Sequence, residues 1–506
     1  MTAPRLFMLL AILSTQVLLM HVARAGPPAG DSAAGPMLSV AAIQSDFDLL
    51  RHALEEAHPG LYRYSTREQM DRTFAAERAK LDRPMTRLRF REVVAETLAS
   101  LRCGHTSMNG DAEMDAAFKS SPAFPLSILI EGHRVMVLLN DTASDAAIQP
   151  GMEIIDVNGH KARDLLEHFY RVTSADGDIE TGKHHDLANR FPTYYWWLIE
   201  QPKAFTITAK DSAGKTVVAT LPGVTDAERK TNHNPVNAKL MAGAAKVMGA
   251  MHVERKLSFI KDPQIAEIRL HYFLGDDYRQ WMRDTFKTLH DKGTRALIID
   301  LRGNGGGEDE YGALLVSELT DKPFRYFDHV NMKTFKPSFD EHLDGSFDAG
   351  EVERFSKGTV ANPAGGYRLT PAMMDGLKEQ QPAEQPFMGK VIVLTEGGSF
   401  SCSGDVCAIL HHLHRATFVG EETGGGYWGN NSGRMSTMTL PNSNQKFRFP
   451  FFGYWNAVDG DDAFARRGTI PDVQVDLKTA DLLRGVDAQH DMAVKLAEES
   501  VAAAKS

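Results

Sequence analysis

The sequence predicts an α/β protein with a helical N-terminal region and an inserted β-rich module. Ala296–Leu301 and Val391–Thr395 are short, continuous apolar runs, the pattern of strands buried on both faces of a sheet. Apolar residues at helical spacing, such as Trp281, Phe286 and Leu289, alternate with them, which argues for helices covering that sheet. Between residues 122 and 224 the pattern changes to hairpins.

Composition bounds the rest. A chain of 506 residues is too long for one hydrophobic core, so several domains are expected. It is 42% hydrophobic and 24% charged, with a net charge of −10, which disfavours nucleic acid as a partner. Its three cysteines, Cys103, Cys402 and Cys407, are too few for a disulfide framework.

In chain order, Arg5, the mostly apolar run Leu6–Met20 and Ala23-Arg24-Ala25 read as a cleavable secretory signal (1–25), with cleavage after Ala25. The run is shorter than the roughly 20 apolar residues that a spanning helix needs. A periplasmic or secreted protein with no stable membrane insertion after cleavage is therefore expected. Residues 26–40 read as a linker. In the helical region 41–121, Ile43, Phe47, Leu50, Leu54 and Ala57 form one apolar stripe that ends at His58-Pro59-Gly60. A second stripe, Leu88–Leu101, runs into Cys103-Gly104-His105-Thr106. The module 122–224 contains the hairpin pattern of Ser127–Leu139, the stretch Ile148–Gly159 with its Asn158-Gly159 turn, and a second hairpin of Phe205–Ala209 with Val217–Leu221. Residues 225–506 alternate strands and helices and close with a C-terminal helix. Within them, 325–385 is polar and irregular, so loops and short helices are expected there.

Two turns carry chemistry. The run Val391–Thr395 leads into Glu396-Gly397-Gly398-Ser399-Phe400-Ser401-Cys402-Ser403-Gly404, followed by a helical stretch. A serine between a strand end and a helix start is exposed beside a helix N-terminus, although serine also serves there simply as a cap. No register gives the Gly-x-Ser-x-Gly elbow. Gly303-Asn304-Gly305-Gly306-Gly307 follows the other strand; Glu308 stands where a dinucleotide loop needs glycine. That leaves a turn of bare backbone N–H groups suited to an oxyanion, or a plain strand-to-helix turn. Among the histidines, His411, His412 and His414 lack zinc-peptidase spacing, and His184 and His185 read as surface. His105 stands apart in its Gly-His-Thr turn.

These segments resemble the tail-specific, or C-terminal-processing, serine peptidases, in their tricorn-core-like branch that includes the interphotoreceptor retinoid-binding modules. The matching motifs are Leu101–Thr106, Ile299–Gly307, Gly397–Ser401, Val419–Gly426 and Gly468–Asp472, in the family's order. The resemblance implies a ClpP/crotonase-like α/β core and a PDZ-like domain at 122–224 that captures an extended peptide by strand addition. It implies Ser401 as nucleophile, His105 as general base, and an oxyanion hole from Gly305, Gly306 and Cys402, cleaving a peptide or protein substrate with no metal or cofactor. The catalytic lysine of the processing branch falls on Gly426. The supporting serine and glutamate of the tricorn-like branch fall on Gly104 and Ala465, which leaves Asp461 and Asp462 as candidates to orient His105. The alternatives are a non-catalytic binder of peptide or small ligand, and a hydrolase of a non-peptide ester or amide. If base and nucleophile meet, Cys103 comes near Cys402; three buried thiols are expected over a disulfide.

Overall fold

Ser39 caps the first helix, α1 (Val40–Ala57), by accepting from Ala42 N, and Ile43, Phe47, Leu50 and Leu54 form its buried face. The computed structural model describes residues 35–143, 147–232, 234–237, 247, 254–260 and 263–503. The expected signal, its cleavage position and residues 26–34 of the linker lie outside the described residues. Thr66 and Gln69 form a capping box that starts α2 (Arg67–Ala79). Phe90, Val94 and Leu98 of α3 (Arg87–Ser100) join Phe47 and Phe74 in one core. After α3, Arg102 takes a positive φ of 57° and turns the chain toward His105.

The module follows. Its strands β1 (Leu126–Glu131), β2 (Arg134–Asn140), β3 (Glu153–Val157), β4 (Ala204–Lys210) and β5 (Thr216–Pro222) lie side by side in that order, all antiparallel. Both expected hairpins form, with Ser127 opposite Leu139 and Phe205 opposite Leu221. The module also contains two helices that the sequence reading passed over, α4 (Ala162–Val172) and α5 (Glu180–Leu198). They close its own core, in which Phe169, Phe191 and Tyr195 pack with Phe124 and Phe205.

A six-stranded sheet forms the centre, in the order β6 (Arg255–Phe259), β7 (Ile265–Leu270), β8 (Ala296–Asp300), β9 (Lys390–Thr395), β10 (Thr417–Gly420) and β11 (Val473–Gln474). Only the β6–β7 pair is antiparallel. Leu297, Ile299, Val391 and Val393 face one layer, packed with α6 (Tyr278–Asp291), α7 (Asp309–Ser317) and α8 (Cys402–His412). Ile298, Ile392 and Leu394 face the other, under Ala493 and Ala497 of α9 (Ala488–Ala503). Two covered faces explain why β8 and β9 read as unbroken apolar runs.

The stretch 325–385 contains the expected short helices, among them Ala349–Gly358, but also strands that were not expected. Phe327–Met332, Leu343–Asp344, Thr359–Ala361 and Tyr367–Leu369 are strands of a second, seven-stranded sheet with Asn431–Thr439 and Lys446–Asn456. Most of these strands are two or three residues long, too short for alternation to show, and Leu343–Asp344 and Phe327–Met332 find partners about a hundred residues on, at Met438 and in Phe452–Asn456. The seventh member is Ser107–Met108, just after His105, which pairs with Phe447 and Arg448. Among the described residues no helix is long and apolar enough to cross a membrane.

Arg302, buried at the end of β8, forks onto Asp300 (2.8 and 2.9 Å) and Asp487 (2.8 and 2.9 Å), just ahead of α9. Arg302→Ala leaves two carboxylates uncompensated in the interior and is expected to destabilise the protein by roughly 3–5 kcal/mol. Denaturant unfolding followed by circular dichroism checks this; an unchanged midpoint would deny the ion pairs a stabilising role.

Candidate active site

The turn after β9 holds three serines in three environments. Ser399 is fully buried; its hydroxyl donates to Leu301 O (2.8 Å) and accepts from Glu396 N. Ser403 is buried within α8. Ser401, between them, is half-buried and takes φ 57°, ψ −132°, a region that costs a non-glycine residue of order 1–3 kcal/mol. It precedes α8 yet its side chain makes no cap hydrogen bond. Its Oγ instead lies 3.1 Å from His105 Nε2, across 296 residues of sequence.

Glycines let other backbone reach this serine. A Cβ on Gly306 would lie 2.6 Å from Ser401 Cβ, and one on Gly425 3.2 Å from Ser401 N. The glycine turn is therefore pressed against Ser401. Gly306 N–H is engaged, donating to Asn304 Oδ1 (2.9 Å). Gly305 is exposed beside Tyr272, and Cys402 opens α8 directly after Ser401. Of the three expected oxyanion donors, Gly305 and Cys402 fit the role better than Gly306.

His105 is set by its flanks. The short strand Ser107–Met108 pins the chain after it, and its ring stacks on Phe400 at 4.5 Å and 26°. Behind it, His58 Nε2 lies 2.8 Å from Thr106 Oγ1, which donates to Cys103 Sγ. Burial, reinforced by the Arg448 charge, pulls the His105 pKa down to about 3, so the ring is neutral and able to accept a proton at neutral pH. Cys103, Cys402 and Cys407 are buried and unbridged.

Asp461 and Asp462 are exposed, and Asp461 accepts from Ala463 N (2.9 Å) at the start of a short 3₁₀ turn. The structure gives neither a bond to His105, whose Nδ1 has no hydrogen-bond partner among the described residues. The carboxylate beside this segment is Asp176, in the loop between α4 and α5. It is fully buried, its Oδ1 accepts from Gly104 N (2.8 Å), and its Oδ2 has no partner among the described residues. No periodicity or motif singles out Asp176. Burial, opposed by the Gly104 and Gly426 N–H groups and by Arg63, raises its pKa from 3.8 to about 6. At Gly426 a side chain would meet Gly429 O at 2.8 Å and Tyr64 Oη at 3.1 Å.

The module touches the site too. His185 of α5, expected at the surface, sits with Nδ1 3.2 Å from Glu396 Oε2, while Glu396 Oε1 accepts from Gly303 N (2.6 Å). Burial pushes the Glu396 carboxyl up, but the His185 charge and the Gly398 and Gly303 N–H groups outweigh it and hold it at about 2. The same carboxylate shifts His185 upward.

Residues 264–475 match the model of peptidase family S41. No curated protein sequence matches the chain. Among solved structures, mature CPAF is 15% identical, covering 90% of this chain and 96% of its own, with a TM-score of 0.60. Mature CPAF complexed with lactacystin is 16% identical, covering 90% and 98%, with a TM-score of 0.61. These likenesses show a shared fold, and the family match gives the enzyme class, a serine-type peptidase.

Asp176→Asn tests the buried carboxylate. Arg63, Tyr64, Cys103 and Asp405 face it from the surrounding elements. With its pKa raised to about 6, Asp176 holds its proton more tightly folded than unfolded, so its contribution to stability falls as pH rises from about 4 to about 6. The variant is therefore expected to melt no lower than the parent at pH 7. Its kcat should still fall about tenfold to a hundredfold if the negative charge supports His105, and the decline in kcat/KM below pH 6 should disappear. Parallel melting and pH–rate profiles read this; an unchanged kcat would remove Asp176 from the site.

Proposed function

We propose that the protein is an exported serine endopeptidase of the carboxyl-terminal-processing type, in which Ser401 and His105 act without a catalytic lysine. The observation that carries this is the 3.1 Å contact between His105 Nε2 and Ser401 Oγ, with the serine in strained backbone between strand and helix. The crowding at Gly426 supports the reading without lysine, because Gly429 and Tyr64 occupy the space a side chain there would need.

In this reading a substrate carbonyl settles against Ser401. As Oγ attacks, neutral His105 takes its proton through Nε2. The oxygen of the tetrahedral intermediate turns toward the N–H groups of Cys402 and Gly305, each such donor contributing about 3 kcal/mol to the transition state. Collapse breaks the C–N bond, and His105 returns the proton to the leaving amine. Water then enters and attacks the acyl carbon while giving a proton to His105; the ester bond breaks and His105 returns the proton to Ser401 Oγ. Asp176, beside the His105 turn, would stabilise the imidazolium formed in each half. The module of residues 122–224 acts as a PDZ-like domain that adds an extended peptide to its sheet. Its α5 reaches the nucleophile turn through His185 and Glu396, a route by which peptide capture is felt at the site.

A fluorophosphonate probe is expected to label the mature protein on one serine. Ser401→Ala should abolish the labelling and His105→Ala should slow it by at least about a hundredfold. Labelling that survives Ser401→Ala would overturn the assignment. The exported protein should begin at Gly26, as read by intact mass; retention of the first 25 residues would contradict export by signal cleavage.

A further inference from the structure

A cavity of about 120 Å³ lies between α3, α4, α5 and the His105 turn. Gly104 and Ser107, which bracket His105 and Thr106, form part of its wall, together with Arg91 of α3 and Trp197 of α5. Arg91 is only 3% exposed. Two of its nitrogens donate to neutral acceptors, Gln445 Oε1 (3.1 Å) and Asn109 O (2.7 Å). Its Nε–H has no partner among the described residues, and neither does the buried indole N–H of Trp197, over whose ring the guanidinium stacks at 4.6 Å.

Both acids that line the cavity are engaged elsewhere, and Asp115, which also acts on Arg91, forms no ion pair with it among the described residues. Glu92 binds His168 (2.7 Å) and Arg89 (2.6 Å), and Asp186 accepts from Tyr194 Oη (2.9 Å) and Arg190 (3.4 Å). Asp111, the largest opposing charge felt by Arg91, is bound to Arg87. Arg91 is thus a buried cation without a carboxylate of its own, and burial lowers its pKa to about 10. Such a charge is costly unless something answers it, and a guanidinium beside an indole N–H presents donors that a planar carboxylate satisfies.

We propose that this cavity is a subsite for a substrate carboxylate, held by Arg91 and Trp197 next to the catalytic pair. It rests on the reading of Ser401 and His105 as that pair and adds a preference to it. The carboxylate is that of an aspartate or glutamate side chain or that of a chain end. The volume suits a single residue, and the shared wall at Gly104 and Ser107 sets the cavity beside the His105 turn.

Ser401→Ala protein separates binding from turnover. Isothermal titration compares N-acetyl-aspartic acid amide (side-chain carboxylate alone), N-acetyl-alanine (chain-terminal carboxylate alone) and neutral N-acetyl-asparagine amide. One of the acids is expected to bind at least about tenfold more tightly than the neutral amide, and the tighter acid identifies the source. Arg91→Gln should erase the difference. Trp197→Phe, which keeps an aromatic ring and removes the N–H, should weaken acid binding several-fold and carries the test if Arg91→Gln does not fold. Equal binding of acid and amide, or no binding of either acid at tens of millimolar, overturns the proposal. Labelling of the parent protein at Ser401 by the fluorophosphonate reports on the catalytic pair separately, so the two failures are distinguishable.

Discussion

The site depends on backbone approaching backbone more closely than side chains allow. Ser401 holds a positive φ between two close glycines: a Cβ on Gly306 would collide with its Cβ at 2.6 Å, and one on Gly425 would crowd its N at 3.2 Å. The strain is maintained by buried strands on both sides: β8 feeds the glycine turn and β9 the serine turn, paired in register from Ala296 with Lys390 to Asp300 with Leu394. Rigid neighbouring strands thus set how nucleophile and oxyanion turn lie against one another, while the loops supply the groups.

The base comes from elsewhere. His105 belongs to the second sheet through Ser107–Met108 and meets the central sheet only at Phe400 and Ser401. Its electrostatics follow from that position. Desolvation and Arg448 keep the ring neutral, which favours proton acceptance and disfavours the imidazolium that acceptance creates. Asp176 is the buried opposite charge within reach of this segment, and its own desolvation limits how much of it is ionised below pH 6. No hydrogen bond joins the two: His105 Nδ1 and Asp176 Oδ2 each lack a partner among the described residues.

What could be read from the chain, and what could not, divides by the range of the interactions. The central sheet was legible because β8 and β9 are covered on both faces and so leave unbroken apolar runs. The nucleophile turn was legible because glycine and serine crowd a strand end. Choosing among Ser399, Ser401 and Ser403 took the likeness to known peptidases; the structure distinguishes them by burial and partners. Asp176 was not legible: its place is decided by one hydrogen bond to Gly104 across 72 residues, and nothing local marks it. His185 is exposed, as the sequence suggested, but its partner was not legible, since Glu396 lies 211 residues away. Four of the second sheet's seven strands carry too few residues for a period of two, while its longest two, Asn431–Thr439 and Lys446–Asn456, went unread in the sequence.

The pairing of Ser107–Met108 with Phe447–Arg448 has a consequence for timing. A chain made from its N-terminus has His105 long before it has the strand that pins it, and Ser401 emerges before that strand as well. Base and nucleophile therefore coexist for some fifty residues of synthesis without the sheet that aligns them. Competence arrives late and at once, when Lys446–Asn456 adds to the second sheet. In the proposed reading, the order in which these parts appear keeps Ser401 and His105 unaligned until that strand is made.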